Sequence, residues 1–350
     1  MILTDYGQKH HYKRCSQSGG CVRFAVSRAL NGKDCVDEKL KEKVLAAVQE
    51  LGYTPNDVAR SLKVQDSSLV AYVVSNTADP FFTSISRGIE DVLFEKGYSL
   101  INCSTNFSLE RETGFLNMLA KRRVAGIIIN TVGNNDKLIA DMSRRFPTVL
   151  SNRLIRDPGF TGDFVDFDNI SGIMRLTKYL IELGHRRIAF LMGPEFLSTV
   201  QERFSGFREA MLSAGISVDD DYPYIVQSNE SYTANDGYQS ISKLMSMPVP
   251  PTAVVASNSE MALGVMRYCR EHDISIPDDI SLCSFGDLLN HDLMYVDLTH
   301  TRMDLFTIGN RMAQLLLDRI ASGNAAQPNR EIRFDSPIVM GNSTAKCAEQ

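Results

Sequence analysis

From residue 69 onward the chain alternates short, almost wholly apolar runs with longer amphipathic ones, and that alternation excludes most architectures. The runs 69–75, 99–105, 124–131, 148–151, 164–166, 187–192, 224–226, 253–256 and 280–285 read as strands. Helices are expected at 81–96, 109–122, 170–183, 200–214, 235–245 and 260–272. A strand with no polar alternation is buried on both faces, so strands of this kind separated by helices mean parallel sheets covered on each side. About ten such strands over roughly 230 residues are too many for one ordinary sheet, and two doubly wound α/β lobes are the economical arrangement. Ligands of open parallel sheets bind beyond the carboxyl ends of the strands. The polar loops after Ser75, Asn130, Ser151, Met192, Gln227, Ser257 and Phe285 then face a common cleft, the geometry of a clamp for a small molecule.

Composition removes other classes. The 350-residue chain suits two or three compact units, and 43% apolar with 23% charged residues is ordinary for a globular protein. No run of 18 apolar residues exists to span a membrane, and the N-terminus lacks the apolar core of an export signal, so a cytoplasmic location is expected. Seven scattered cysteines fit reduced thiols better than a disulfide framework. Cys15, Cys21 and Cys35 lie closest together, without the Cys-x2-Cys or His-x3-His spacing of zinc ligands, and no metal or cofactor is expected. Gly-x-Gly-x-x-Gly, Gly-x-Ser-x-Gly and P-loop patterns are missing and the histidines are scattered, which argues against an enzyme. His185, after Gly184 at a helix end, fits a structural capping role better than a catalytic one. Charge is uneven. Residues 1–63 hold 11 Lys and Arg against 7 Asp and Glu (+4), the remainder 26 against 35 (−9), as for a basic module meeting phosphate on an acidic body.

That basic module contains the densest motif. Val26-Ser27-Arg28-Ala29-Leu30-Asn31-Gly32 is followed by an amphipathic helix over 39–51 closed by Gly52, then Tyr53-Thr54-Pro55-Asn56 and Ala59-Arg60-Ser61-Leu62. These residues resemble the second half of the DNA-binding headpiece of the lactose-repressor/galactose-repressor family. The resemblance implies a helix-turn-helix over 1–54 and a hinge helix with linker over 55–67. It places Ser27, Arg28 and Asn31 on or beside the recognition helix, and Asn56, Ala59 and Leu62 on a hinge helix that wedges its leucine into a minor-groove step of a palindromic operator.

The body resembles the same family through Asp79-Pro80-Phe81-Phe82, 123–129, 166–169, 183–188, Gly193-Pro194, 202–207, 258–264 and Leu298-Thr299. This implies two lobes like those of periplasmic binding proteins, joined by three crossovers, in a homodimer without a membrane role. The expected first lobe is 68–167 plus 298–326, the second 168–297 plus 327–343, with a tail over 344–350. By matching position, effector contacts fall on Phe81, Phe82, Asn152, Arg153, Arg203, Tyr232, Asn258 and Asp287. An arginine fork grips hydroxyls or a carboxylate, an amide both donates and accepts, and an aromatic face packs on sugar C–H groups or a planar base. The competing readings are core packing for the two phenylalanines, pairing with Asp157 or Asp168 for Arg153, and an exposed helix position for Arg203. Ser259 and Gly286 depart from the family pattern, which has aspartates there, so a typical pyranose contact is not assured. The function implied is a ligand-responsive transcriptional repressor of carbohydrate or related small-molecule metabolism; the alternative on the same lobes is a sugar-binding protein of a transport system.

Residues 9–24 do not fit the headpiece, because the Ala-Gly-Val-Ser turn and the first helix are missing. Reading plausible codons for Asp5–Phe24 one base out of frame yields Met-Asp-Lys-Asn-Thr-Ile-Ile-Lys-Asp-Val-Ala-Lys-Ala-Ala-Gly-Val-Ser-Val-Ser. One restored base then continues it as Thr into Val26-Ser27-Arg28. A one-base deletion near Phe24/Ala25 accounts for the junction, and the nucleotide sequence decides the point. As written, the chain is expected to leave residues 1–35 poorly ordered and to bind operator weakly, since half a three-helix domain cannot bury a core.

Overall fold

In a computed structural model the chain divides into two units, Met1–Asp66 and Ser67–Gln350. The structure describes residues 67–229, 232–288, 293–323 and 327–348, with the helical, exposed Glu42 and Ala46 of the first unit. Ser27, Arg28, Asn31, Asn56, Ala59 and Leu62, and the expectations for residues 1–35, lie outside these residues.

The second unit begins with β1 (Leu69–Val74), α1 (Pro80–Glu95), β2 (Ser99–Ser104), α2 (Leu109–Arg122), β3 (Gly126–Ile129), α3 (Asp136–Ser143), β4 (Thr148–Ser151) and β5 (Asp163–Phe167). It continues with α4 (Asn169–Glu182), β6 (Ile188–Met192), α5 (Ser198–Ser213), β7 (Ile225–Gln227), α6 (Ala234–Met245), β8 (Ala253–Ala256), α7 (Ser259–Glu271) and β9 (Ser281–Ser284). Last come β10 (Thr299–Thr301), α8 (Leu305–Ser322), β11 (Glu331–Phe334) and β12 (Ile338–Val339). Two six-stranded sheets result, ordered β11-β5-β4-β3-β1-β2 and β12-β10-β9-β8-β6-β7. All pairings are parallel except β10 with β12. Each of β3, β4, β5, β6, β8 and β9 is buried along its whole length, as the lack of polar alternation demands.

Three crossovers join the lobes, after β5, β10 and β11. The lobe boundaries drawn from the sequence shift at two of them. Thr299 and His300 pair with β9 and so lie in the second sheet, while Glu331 to Phe334 pair with β5 in the first. The lobes are therefore 67–167 with 302–334, and 168–301 with 335–348. Polar Thr299-His300-Thr301 gives no strand signal, yet is buried because its hydroxyls and imidazole are hydrogen-bonded, Thr301 Oγ1 accepting from Gly286 N at 2.9 Å. The end of the chain is also not a free tail. Cys347 N donates to Leu183 O (2.9 Å) and His185 Nε2 lies 3.0 Å from Ala345 O, so His185 is a structural tie.

Helices pack pairwise on the sheets, and where α1 meets α8 the backbones touch. A methyl group on Gly88 or Gly309 would overlap the Phe306 or Ile85 carbonyl oxygen, so no side chain fits at that crossing. The first sheet is closed by a buried ion cluster. Arg319 on α8 donates Nε and Nη2 to the two carboxylate oxygens of Asp163 on β5 (2.8 and 2.7 Å), and Arg330, just before β11, donates to the same carboxylate. Burial alone would raise the Asp163 carboxyl, but the hydrogen bonds and charge of Arg319 and Arg330 hold it below the usual range.

Candidate functional site: a cleft between the lobes

The carboxyl ends of both sheets meet at a cavity of about 320 Å³, lined from the first lobe by Asn76, Asp79, Phe81, Phe82, Phe107, Asn152 and Arg153. The second lobe supplies Arg203, Tyr232, Asn258, Glu260 and Phe285, and Met303 comes from the crossover before α8. Helix capping fixes two of these residues. Asp79 caps α1 by accepting from Phe81 N at 2.9 Å, and Asn258 caps α7 by accepting from Met261 N at 2.8 Å. The Asn258 amide then donates to Tyr232 O at 2.9 Å.

Two guanidinium groups meet at Tyr232. Arg153 is 3% exposed and reaches across the lobes. Its Nη2 donates to the Tyr232 hydroxyl (2.8 Å) while Nη1 donates to Thr131 O (2.6 Å) and Ser75 Oγ (3.3 Å). The pairing considered with Asp157 or Asp168 does not form. Arg203 is 5% exposed, not on a helix surface: Nε donates to Asn169 Oδ1, Nη1 to Ser257 O (both 2.8 Å), and its guanidinium lies 4.1 Å over the Phe285 ring. Burial would raise the Tyr232 phenol, but these two cations hold it below its ordinary value. The ring rests on Gly193, where a methyl would overlap it. Phe81 and Phe82 meet edge to face at 5.1 Å; Phe82 is buried, so both the core and the cleft readings describe this pair.

Asn152 has φ +63° and its Oδ1 is buried without a partner among the described residues. Burial raises the carboxyls of Asp79 and Glu260, and the charge of Asp79 raises Glu260 further. The structure places seven of the eight sequence-derived residues on the cleft; the eighth, Asp287, has a 42% exposed side chain 3.5 Å from His300 and does not line it. Asp79 and Glu260 supply the carboxylates instead. Asp79 stood in the quoted Asp-Pro-Phe-Phe run as a motif residue; Met303 carries no sequence signal. A larger groove of about 530 Å³ lies beyond Arg153, between the loops after β3 and β4 and the start of α5. The smaller cleft is the better candidate because aromatic faces and buried polar groups converge on it.

Behind Arg203 a polar cluster spans the hinge. Asn169 donates to Asp166 Oδ2 (2.7 Å) and Glu202 Oε2 (2.9 Å), and Arg333 on β11 grips Glu202 with Nη1 and Nη2 (2.9 and 2.8 Å). Burial pushes the Asp166 carboxyl up to about 8, against the attraction of Arg203 and Arg333. An acid raised above its unfolded value near 4 contributes stability that is full below that pH and lost as pH rises toward 8. Chemical denaturation at about pH 5 and 8 is therefore expected to show a loss on the order of 2 kcal/mol in the wild type that Asp166→Asn abolishes. An equal loss in both would show that another group titrates.

Residues 23–56 match the model for bacterial regulatory proteins of the lacI family, and 177–344 match that for a periplasmic binding protein-like domain. The HTH-type transcriptional regulator CelR of Thermobifida fusca is 32% identical over 319 residues, 89% of this chain and 92% of that protein. The ribose operon repressor of Escherichia coli K12 is 29% identical over 335 residues, 95% of this chain and 99% of the repressor. A crystal structure of the lac repressor dimer bound to operator and the anti-inducer ONPF superposes with a TM-score of 0.81 at 25% identity, covering 95% of this chain and 98% of that one. With the two sheets, three crossovers and interlobe cleft in place, the chain belongs to the lacI family of bacterial regulatory proteins.

Proposed function

We propose that the protein is a dimeric, ligand-responsive repressor of transcription that binds a palindromic operator and takes a sugar or sugar derivative between its lobes. The carrying observation is that Arg153 of the first lobe and Arg203 of the second converge on Tyr232, so a molecule seated there touches both lobes and reports on their separation. Phe81, Phe82 and Phe285 offer faces for C–H groups; Asn152, Asn258, Asp79 and Glu260 offer acceptors or donors for hydroxyls. Effector binding then biases one lobe arrangement over another, and operator affinity follows through the resulting coupling free energy. The lacI-type match over residues 23–56 supports this reading over that of a transport-system binding protein.

A thermal-shift screen of sugars, nucleosides and phosphosugars tests it. A ligand is expected that raises the melting temperature, is recovered unchanged after incubation, and loses at least about tenfold in affinity with Arg203→Met. A ligand bound equally well by Arg203→Met would place the site elsewhere, and a chemically altered ligand would point to an enzyme.

A further inference from the structure

The cleft is electrically divided. At one end lie Arg153 and Arg203, both buried, and among the described residues neither forms an ion pair with a carboxylate. Arg153 spends its bonds on a carbonyl, a serine hydroxyl and a phenol, and its Nε is buried without a partner. Arg203 commits Nε and Nη1 to an amide and a carbonyl, while Glu202, the acid next to it in sequence, is held by Arg333. Two buried cations without a contacting anion are costly, and a charge-assisted pair with a bound anion offsets that cost. Toward the other helix termini stand Asp79 and Glu260, whose mutual repulsion makes them acceptors for ligand O–H groups. The two aspartates of the family pattern are Ser259 and Gly286 here, which weakens the hold on a neutral pyranose.

Resting on the effector-cleft reading above, we infer that the ligand is an anionic sugar derivative, its carboxylate or phosphate between Arg153 and Arg203 and its hydroxyls toward Asp79, Asn152 and Glu260. Arg153 is then the residue that sets charge specificity. It is placed to do so because the loop after β4 is strapped to the second lobe by Leu154 N donating to Ser198 Oγ at 2.9 Å and by Arg156 donating to Gln201.

The test is calorimetric titration of the full chain with two matched series: D-ribose, D-ribonate and D-ribose 5-phosphate, and D-glucose, D-gluconate and D-glucose 6-phosphate. In at least one series the anion is expected to bind about tenfold or more tightly than its aldose, and its affinity to fall with added salt while the aldose's does not. The aldonate and phosphate arms separate the two anion sources. Arg153→Met is expected to reduce anion affinity about tenfold or more and aldose affinity less than about threefold, with Arg153→Lys between. Should Arg153→Met fail to fold, the selectivity and salt dependence of the unaltered chain still decide. An aldose that binds as tightly as its anions overturns the charge assignment while leaving the cleft as the effector site. Equal losses for aldose and anion with Arg153→Met overturn it too, and no binding by any of the six overturns it together with the sugar-derivative reading of the cleft.

Discussion

Replacing residues 1–25 by the out-of-frame peptide ending in Ala-Gly-Val-Ser-Val-Ser-Thr is expected to raise operator affinity by about a thousandfold or more. The chain as written carries the end of a recognition helix and the helix over 39–51, too little apolar surface for a three-helix core. Without a folded headpiece only sequence-independent attraction to phosphate remains, typically in the range of about 10⁻⁴–10⁻⁶ M, against roughly 10⁻⁸–10⁻¹¹ M for specific complexes. Selecting a palindromic site with the restored chain, then titrating both chains at several salt concentrations, measures the difference. Tight, salt-sensitive binding to that site by the unaltered chain would contradict the expectation.

Asp163→Ala is expected to lower stability by about 3–5 kcal/mol, the largest effect foreseen for a single substitution in the body. Both Asp163 and Arg319 have fully buried side chains, and removing the carboxylate leaves the Arg319 charge in the interior with Pro328 O as an acceptor. The cluster also ties β5 and α8 to the segment entering β11, because Arg330 N and its guanidinium bond the same carboxylate. Loss of the crossover after β11 should accompany the loss of stability, seen as faster amide exchange in residues 331–334. A destabilisation below about 1 kcal/mol would mean that the pair is readily solvated.

How far the sequence carried depended on how each element is buried. Strands such as Ile188–Met192 and Ala253–Ala256 are apolar throughout and legible directly. Thr299–Thr301 is buried by satisfying its polar groups, and Glu331–Phe334 is held by backbone pairing with an arginine cluster beside it, so neither shows an apolar run. Those two strands displaced the lobe boundaries. In the cleft, Arg203, Tyr232 and Asn258 were legible through resemblance because they end strands or open helices in a fixed order. Met303 reaches the cleft from a crossover whose path no local pattern encodes, and Glu260 takes its place through the orientation of α7 rather than through a motif. The choice between pairing and cleft for Arg153 needed coordinates, since its partners lie at positions 75, 131 and 232.

The central claim is that a ligand in the cleft governs DNA binding through Arg203. The direct measurement is operator affinity of the restored dimer by fluorescence anisotropy, with and without the ligand found by thermal shift, for wild type and Arg203→Met. Wild type should change operator affinity by about fivefold or more on ligand addition, while Arg203→Met binds operator equally well and does not respond. An Arg203→Met protein that responds at the same ligand concentration and to the same extent would contradict the account.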